Sequence, residues 1–543
     1  MGYFLNNEEV YDIYREAANE PYFVDKTKIL TDIFPLIDST EKYICITRPR
    51  RFGKTIMANL VGAFFSKACA AENIFDSLKI SEAAEYHHFL NQYNVIYIDF
   101  SDMDDECISY NAYIRNIKSL LREDFHTAYP EIEFRENGSI AEDLKRIYTL
   151  THEKFIFILD EWDAVFHIPF VKEKEREAYL RFLRGMLKGK AYVSLVYMTG
   201  ILPIAKYSSG SELNMFVEFT MAKTPAFSSY FGFTEAEVDE LYGRYMKMCP
   251  APAVTREGLR MWYDGYQTAG KERVYNPRSV VLALRFNHLE SYWTSSGPFD
   301  EISYYIKKNV ADVREDLALM VSGETVTARV QEYAATSMNL STKDEIFSAM
   351  VVYGFLSHNK GKVFIPNKEL MDKFKDMLEK EPSLGYVYRL ARESERMLKA
   401  TLAGDTNTML EILEYAHDTE IPLLSYNNET ELTAVVNLVY LASRDFYRIE
   451  REDKAGRGYV DFIFYPEKDK SDDCIILELK VDSTPDEAIR QIKDRKYELR
   501  FKGRLGKETD YTGRILAVGI SYDRNTKKHG CRIEVLQERI YTP

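Results

Sequence analysis

The sequence has little cysteine, and its cysteines are dispersed. Six cysteines lie among 543 residues, and no two of them form a C-x-x-C pair. This spacing excludes a disulfide framework and a cysteine-based zinc site, and it is typical of reduced thiols in the cytosol. His87, His88 and His126 have no partners at metal-ligand spacing, and we interpret them as surface residues.

Long apolar runs are also missing. No segment approaches the roughly 20 consecutive apolar residues that a membrane-spanning helix needs. The first residues, MGYFLNNEE, have neither the basic start nor the apolar stretch of a secretory signal. We therefore expect a cytoplasmic protein with no membrane partner.

Basic residues are in the minority. The chain has 71 Lys and Arg against 85 Asp and Glu, a net charge of −14. This balance excludes a generally basic coat for nucleic acid but leaves room for a local basic channel. Its length exceeds what one hydrophobic core fills and predicts two to four domains.

What the sequence does contain is a phosphate-binding motif between a strand and a helix. A short apolar, β-prone run at 43–47 precedes RPRRFGKT at 48–55, and an apolar-periodic helix follows. In that context backbone N–H groups and the helix N-terminus can hold the β- and γ-phosphates of a nucleotide, while Lys54 supplies a charge and Thr55 a hydroxyl ligand for Mg²⁺. The candidate nucleotide-binding residues in this stretch are Arg50, Arg51, Phe52, Gly53, Lys54, Thr55 and Ile56.

The motif departs from the usual G-x-x-x-x-G-K-[ST] pattern at its first position. Arg48 stands where that pattern has a glycine, so the loop must turn without it, helped by Pro49. Arg50 and Arg51 can serve the phosphates of this chain or those of a neighbouring copy. An accidental Gly-Lys-Thr at a helix start is the alternative interpretation.

Acidic and hydroxyl side chains follow two further strands. The apolar run 154–159 ends in Asp160 and Glu161. Beside a P-loop, Asp160 would hold Mg²⁺ through water and Glu161 would polarise the attacking water. Thr199, at the end of the apolar run 191–200, either senses the γ-phosphate or only caps its strand. Acidic residues also end strands for structural reasons, which is the alternative for the Asp-Glu pair.

A second chemical centre is predicted near the C-terminus. The strand 459–465 carries Asp461, and the strand 474–481 carries Glu478 and Lys480. Residues two apart on a strand share a face, so Glu478 and Lys480 project together and Asp461 can meet them. Two carboxylates in this arrangement hold Mg²⁺ or Mn²⁺, and the lysine positions or deprotonates a water. E-x-K alone is a weak signal, because amphipathic edge strands produce it readily.

A basic segment follows this centre. Between residues 490 and 507 eight Lys or Arg stand against two Asp or Glu. Beside a metal–carboxylate centre such a segment would attract a phosphate backbone. The alternative is an ordinary solvated helix face.

The order of elements predicts the fold. Strands alternate with helices through the first 200 residues, as in a parallel sheet of βαβ units. Residues 233–400 are mainly helical in pattern, and within them a helix at 344–353, a hairpin at 354–365 and a helix at 368–380 suggest a winged-helix-like unit. Such a unit contacts DNA through its wing or packs as a lid.

Several motifs carry a resemblance to known families. They are YFVDKT at 22–27, RPRRFGKT at 48–55, ILDEWD at 158–163, TGILPIAK at 199–206, FGFTEAEV at 231–238, WYDGY at 262–266 and VYNPRSV at 274–280. Together they resemble the prokaryotic AAA-ATPase-like family over residues 5–290. In that family RPRRFGKT is the usual P-loop, so Arg48 is a family feature. The resemblance implies a P-loop ATPase and leaves open what the hydrolysis drives.

A second resemblance covers residues 425–525. Asp461, Glu478 and Lys480 follow the D-x(n)-E-x-K layout of the PD-(D/E)XK nucleases, and the segment is similar to the nuclease-like domain often fused behind the AAA-ATPase-like domain. This resemblance implies that Gln491 and Tyr497 lie beside the centre. It also implies a further acid on the preceding helix, which is Glu429 or Glu431.

The sequence therefore predicts an α/β chain of three parts. They are a P-loop parallel-sheet domain at 1–232, a helical, winged-helix-like region at 233–400 and a restriction-endonuclease-like α/β domain at 401–543. The expected function couples ATP hydrolysis to a metal-dependent nuclease acting on nucleic acid, with DNA the first expectation. The alternative is an ATP-driven switch whose C-terminal domain binds nucleic acid or protein without cutting.

The expected cofactors are ATP and Mg²⁺, with Mn²⁺ as an option at the nuclease-like centre, and a homo-oligomer is left open. The candidate catalytic residues are Glu161, Asp461, Glu478, Lys480 and Gln491. The candidate metal ligands are Thr55, Asp160, Asp461, Glu478 and Glu429. Asp160 and Thr199 complete the candidate nucleotide site.

Overall fold

The structure is a computed structural model of the chain. It describes residues 2–69, 73–105, 107–204, 212–221, 224–270, 272–293, 306, 310–321, 323–330, 340, 342–384, 386–418, 429–450, 460–467, 469–501 and 511–540. The chain divides into two compact units: Met1–Tyr305 with Thr327–Leu370, and Ile306–Val326 with Met371–Pro543. The three-part division at 232 and 400 stays a prediction.

A parallel sheet forms the centre of the first unit. Its strands are β1 (Tyr43–Thr47), β2 (Asn94–Asp99), β3 (Phe155–Asp160), β4 (Val193–Gly200) and β5 (Val217–Phe219). They lie in the order β2-β3-β4-β1-β5, and every neighbouring pair is parallel. The predicted sheet of βαβ units is confirmed.

Both faces of this sheet are covered by helices. Ile44 and Ile46 of β1 pack on the face that carries the helix Lys54–Phe65, whereas Cys45 points to the opposite face. Phe157 of β3 shares that opposite face with the helix Glu173–Leu187. Burial on both faces explains why these strands are continuous apolar runs without alternation.

Helices and short strands complete the first unit. The helices are Glu9–Ala18, Ile29–Ile33, Lys54–Phe65, Tyr86–Phe89, Tyr110–Ala128, Ile140–Thr151, Glu173–Leu187, Glu235–Met248, Arg256–Tyr263, Pro277–Phe286 and Lys343–Tyr353. The short strands are β6 (Tyr266–Gln267), β7 (Arg273–Val274), β8 (Val326–Thr327, at the junction of the units), β9 (Ser357–Asn359) and β10 (Lys362–Phe364). The antiparallel pair β9 and β10 is the predicted hairpin, and the helix Lys368–Lys380 follows it as predicted.

The second unit is a mixed α/β structure. Its strands are β11 (Tyr447–Glu450), β12 (Phe462–Pro466), β13 (Cys474–Val481), β14 (Ile515–Asp523) and β15 (Lys528–Gln537), in that spatial order. Its helices are Val310–Val321, Tyr386–Ala403, Thr406–Asp418, Glu429–Val439 and Pro485–Asp494. Only β13 and β14 pair in parallel, and the other neighbours are antiparallel.

The central strand of this sheet is β13. Leu477 and Leu479 are buried on one face, and Glu478 is buried on the other. Asp461, predicted to lie within a strand, stands directly before β12.

Two expectations from the composition bear on the whole chain. The six cysteines are free thiols. Across the ranges that the structure describes, no helix combines the length and the apolarity needed to cross a bilayer.

Candidate nucleotide site and candidate metal centre

The strand order brings the predicted nucleotide-site residues to one edge of the sheet. β4 lies between β1, which leads into the P-loop, and β3, which ends at Asp160. The register pairs Thr47 with Gly200 and Leu159 with Met198. Thr199 therefore stands between the P-loop and Asp160, at the carboxyl end where parallel sheets bind ligands.

The P-loop backbone is shaped to receive an anion. Arg51 and Gly53 both have left-handed backbone conformations, with φ of 67° and 90°. Left-handed residues in a tight turn make successive N–H groups converge into a concave, anion-binding nest. Gly53 directly precedes the helix Lys54–Phe65, and a Cβ added there would meet no atom within 4 Å. The space beside Gly53 is therefore open.

Lys54 is buried between the loop and the acidic motif. Its Nζ donates to the carbonyl oxygen of Pro49 at 3.3 Å and lies 3.5 Å from Oε1 of Glu161. Glu161 itself has a left-handed φ of 48°. That conformation is strained for a residue with a Cβ, and it turns the Glu161 side chain back toward Lys54.

Asp160 is a fully buried carboxylate with one oxygen available. Its Oδ1 accepts a hydrogen bond from the Thr199 hydroxyl, and its Oδ2 is buried without a hydrogen-bond partner among the described residues. Burial raises the pKa of Asp160 to about 6; the Thr199 hydroxyl lowers it, the charge of Glu161 raises it, and the adjacent Thr55 lowers it. An unsatisfied buried carboxylate oxygen beside a threonine hydroxyl fits a divalent cation.

A third acid supports the loop that follows β4. Asp163 is buried, and its carboxylate accepts the backbone N–H groups of Ile201 and Leu202, the latter at 2.7 Å. Burial, together with the nearby Glu161 charge, raises the pKa of Asp163. Its contacts make it a structural residue behind the acidic motif.

Arg48 occupies the first position of the motif as a buried cation. It is 2% exposed, and its Nη1 donates to the carbonyl oxygens of Thr47 and Phe219 at 2.8 and 2.6 Å. Its guanidinium also lies 4.9 Å from the centre of the Phe231 ring. A glycine could make none of these contacts, so the start of this P-loop is held by a side chain.

The remaining P-loop side chains do not all face the candidate ligand space. Phe52 is buried, with its ring 5.0 Å from that of Tyr266, so it can offer a ligand only its backbone N–H. Ile56 is 46% exposed on the helix. Arg51 donates to the carbonyl oxygen of Tyr292 at 2.5 Å.

Arg278 is a residue that the sequence reasoning left without a role. Partial burial and then the charge of Arg278 lower the pKa of Arg51, which places the two guanidinium groups near one another. Arg278 lies in the quoted motif VYNPRSV, at the start of the helix Pro277–Phe286. The basic side chain within this motif was the feature of the sequence that could have marked Arg278 as a candidate.

The second unit brings together the residues predicted for the metal centre. Oδ2 of Asp461 accepts the backbone N–H of Leu479 at 2.7 Å. Oε1 of Glu478 accepts from Nζ of Lys480 at 2.8 Å and from the side-chain amide of Gln491. The helix Pro485–Asp494 supplies Gln491, so this helix and β13 converge on the Glu478 carboxylate.

Glu478 has the electrostatics of a metal ligand. It is 2% exposed, and burial followed by the Asp461 charge raises its pKa to about 7, while Lys480 acts in the opposite direction. Its Oε2 is buried without a hydrogen-bond partner among the described residues. Burial raises the pKa of Tyr497, and the charge of Glu478 raises it further, so Tyr497 lies near the same carboxylate. A divalent cation would satisfy both the free oxygen and the two adjacent carboxylates.

The further acid of this centre is not decided. Glu429 is the first residue of the helix Glu429–Val439, but its side chain and that of Glu431 lie outside the part that the structure describes. Within the described part, no group of three or more His, Cys, Asp or Glu side chains is placed to hold a metal ion. The pair Asp461 and Glu478 is the carboxylate set that the structure brings together.

Two families match this chain. Residues 12–209 match the family described as Predicted AAA-ATPase, and residues 428–530 match the PD-(D/E)XK nuclease superfamily. The chain therefore carries an AAA-ATPase-like domain and a PD-(D/E)XK nuclease-like domain, and the two resemblances drawn from the motifs are confirmed. The first match ends at 209, so the resemblance over 210–290 stays a prediction.

Individual proteins are more distantly similar. An uncharacterised protein from the vnfD 5′ region of Azotobacter chroococcum mcd 1 is 24% identical over 289 residues, which are 52% of this chain and 51% of that protein. The chain thus spans about half the length of this relative.

Solved structures are similar at low identity. The Walker-type ATPase PABY2304 of Pyrococcus abyssi is 10% identical, with a TM-score of 0.34 over 64% of this chain and 94% of its own. The ORC2 protein of Aeropyrum pernix is 13% identical, with a TM-score of 0.30 over 68% of this chain and 93% of its own. Likenesses this weak say nothing about what this chain binds.

The contacts of Arg48 lead to a stability prediction. Replacing Arg48 by Ala removes a donor from one buried and one partly buried carbonyl oxygen, and we expect the free energy of unfolding of the first unit to fall by about 2 kcal/mol. All three tryptophans lie in this unit, so tryptophan fluorescence during urea unfolding measures it. Arg50→Ala, at a half-buried neighbour, should change the value by less than about 0.5 kcal/mol. Equal effects of the two variants would contradict the anchoring role.

Proposed function

We propose that the chain binds and hydrolyses ATP at the edge formed by β1, β4 and β3, and that the nucleotide state controls a metal-dependent phosphodiesterase centre in the second unit. The observation that carries the proposal is the group at the end of β3: Asp160 is buried with its Oδ1 hydrogen-bonded to the Thr199 hydroxyl, and the adjacent Glu161 lies 3.5 Å from the P-loop residue Lys54. The AAA-ATPase-like match over residues 12–209 supports it.

Each residue of the nucleotide site has a distinct task. The N–H groups from Arg51 to Thr55 bind phosphate oxygens, and Lys54 adds a positive charge in a site that excludes water. Thr55 and Asp160 would hold Mg²⁺, which when bound neutralises charge on the phosphates. Glu161 orients the attacking water and accepts its proton.

Residues of the second unit divide the cleavage chemistry in a similar way. Asp461 and Glu478 would hold the divalent cation, which supplies Lewis-acid stabilisation of the phosphate. Lys480 orients the water that attacks the phosphorus. Gln491 fixes the orientation of Glu478 through its amide, as residues behind a metal ligand commonly do. The match to the PD-(D/E)XK superfamily supports this assignment.

A nucleic acid, with DNA as the first expectation, is the proposed substrate. The helix Pro485–Asp494 ends next to the centre, and Arg490 and Lys493 lie on it with Lys496 just beyond. Lys493 is paired with Glu534, so part of this basic charge is already engaged. The basic residues at 502–507 lie outside the described part.

The alternative is an ATP-driven switch whose C-terminal domain binds nucleic acid or protein without cutting it. Among the described residues two carboxylates converge at this centre, and the side chains of the candidates for a third, Glu429 and Glu431, lie outside that part. A centre with two acids binds a cation more weakly, and loss of cleavage would leave a binding surface intact.

Loss of the P-loop lysine tests the ATPase. Lys54→Ala removes the buried charge at the phosphates, and we expect ATP turnover to fall at least 100-fold, a size typical of losing one preorganised electrostatic group. Phosphate release from ATP measures it. Lys145→Ala, at an exposed helix position, is the matched control and should be unaffected. Retained turnover in Lys54→Ala would show that the P-loop assignment is wrong.

Metal binding at the second centre should depend on pH. Because the pKa of Glu478 is raised to about 7, its carboxylate is largely protonated at pH 6 and largely ionised at pH 8. A cation needs the ionised form, so Mn²⁺ affinity of the nucleotide-free chain should rise about tenfold from pH 6 to pH 8. Calorimetric titration measures it, and Glu478→Gln should bind weakly at both values. Equal affinity of the wild type at pH 6 and pH 8 would contradict the assignment.

Cleavage itself can be separated from metal binding. Lys480→Ala should abolish cleavage while Mn²⁺ affinity changes little, whereas Asp461→Ala should lose both. The assay uses linear, circular and single-stranded DNA and RNA, with Mg²⁺ or Mn²⁺, with and without ATP. Cleavage that persists in Lys480→Ala would remove the proposed chemistry. No cleavage by the wild type, with ATP hydrolysis intact, would favour the switch.

A further inference from the structure

Tyr292 and Trp293, which lie outside both candidate centres, contact the P-loop at Arg50 and Arg51. Nε1 of Trp293 donates to the carbonyl oxygen of Arg50 at 3.1 Å. The preceding residue, Tyr292, accepts the Arg51 guanidinium at its own carbonyl oxygen, at 2.5 Å. Two consecutive residues, about 240 positions away in the sequence, thus form hydrogen bonds with two consecutive residues of the loop.

The contact with the Arg50 carbonyl fixes the direction of a neighbouring N–H group. The carbonyl of Arg50 and the N–H of Arg51 belong to one planar peptide unit, and the described chain contains no cis peptide. In a trans peptide these two groups point in opposite directions. The Arg51 N–H therefore points away from the Trp293 indole.

Glu369 in turn holds Tyr292 and Trp293 in place. Its carboxylate is fully buried, and Oε1 accepts the backbone N–H groups of Tyr292 and Trp293, both at 2.7 Å. The Ser279 hydroxyl donates to the same carboxylate at 3.0 Å. Three donors on one buried acid leave the turn at 292–293 little freedom to move.

Packing closes the outer side of the loop. Gly354 has a φ of 84°, and a Cβ added there would lie 2.7 Å from Cβ of Pro49. The Trp293 ring lies 5.0 Å from the Phe355 ring. The P-loop can therefore approach this surface only because residue 354 is a glycine.

We propose that Trp293 and Glu369 are positioning residues of the nucleotide site. Glu369 holds the turn at 292–293, and Trp293 holds the Arg50 carbonyl outward so that the Arg51 N–H is presented to a phosphate. Neither residue touches the nucleotide. The inference rests on the proposed nucleotide binding and adds to it a part of the chain beyond the residues that match the AAA-ATPase family.

Two substitutions isolate the hydrogen bonds from the packing. Trp293→Phe keeps an aromatic ring and removes the N–H donor. Trp262→Phe, at a half-buried tryptophan whose ring lies 4.8 Å from Nζ of Lys368, is its control. Glu369→Leu removes the acceptor at similar size, whereas Glu369→Gln keeps a carbonyl oxygen in the place of Oε1. Urea unfolding establishes that each variant folds.

The measurement is the dissociation constant of a fluorescent ADP analogue. Loss of one neutral hydrogen bond corresponds to about a fivefold rise, which we expect for Trp293→Phe. Glu369→Leu should raise the constant about tenfold or more, because it leaves two buried N–H groups unpaired. Glu369→Gln and Trp262→Phe should stay within about twofold of the wild type.

Hydrogen exchange without nucleotide gives an independent readout. Peptides spanning residues 49–53 should exchange faster in Trp293→Phe than in the wild type, and at the wild-type rate in Trp262→Phe. Unchanged exchange in Trp293→Phe, or equal ADP affinity of Trp293→Phe and the wild type, would overturn the positioning role. A wild-type chain that binds no ADP would instead contradict the proposed function. In that case, faster exchange of the loop in Trp293→Phe would still support the hydrogen bond between Trp293 and the P-loop.

Discussion

Placing ionisable side chains where water cannot reach them is the constraint on which both candidate centres depend. Asp160 and Glu478 are both buried at the ends or in the middle of central strands, and burial raises the pKa of each. In each case one carboxylate oxygen is satisfied by side-chain donors and the other is left without a partner among the described residues. In each of the two sheets the hydrogen bonds to the buried carboxylate leave its charge only partly stabilised. A bound cation or a proton would stabilise it fully.

The sequence predicted the local parts of this arrangement well, because local patterns carry them. Apolar runs located β1, β3 and β4, and the residues that end these strands were the right candidates for one edge of a parallel sheet. The spacing of two on β13 likewise put Glu478 and Lys480 on one face. Such patterns depend only on neighbours along the chain, so a single sequence contains them.

What the sequence did not disclose are the contacts between distant segments. The ring of Phe52 belongs to the P-loop motif, yet it is buried against the ring of Tyr266. Glu369 stands in an ordinary helical pattern, and only the fold reveals that it binds the turn at 292–293. Hydrogen bonds across more than 70 residues leave no periodic trace, so no rule of spacing could have found them.

The contacts that Arg48 makes at the start of the P-loop also have a consequence for the synthesis of the protein. Arg48 donates to Phe219, 171 residues later, and the strands described beside β1 are β4 and β5, which also come later in the chain. At a synthesis rate of roughly 5–20 residues per second, those partners emerge about 7 to 35 seconds after the motif itself. During that interval β1 is an unpaired apolar strand beside a loop that has no fixed shape. The P-loop can therefore reach its final shape only after residue 219 has been synthesised.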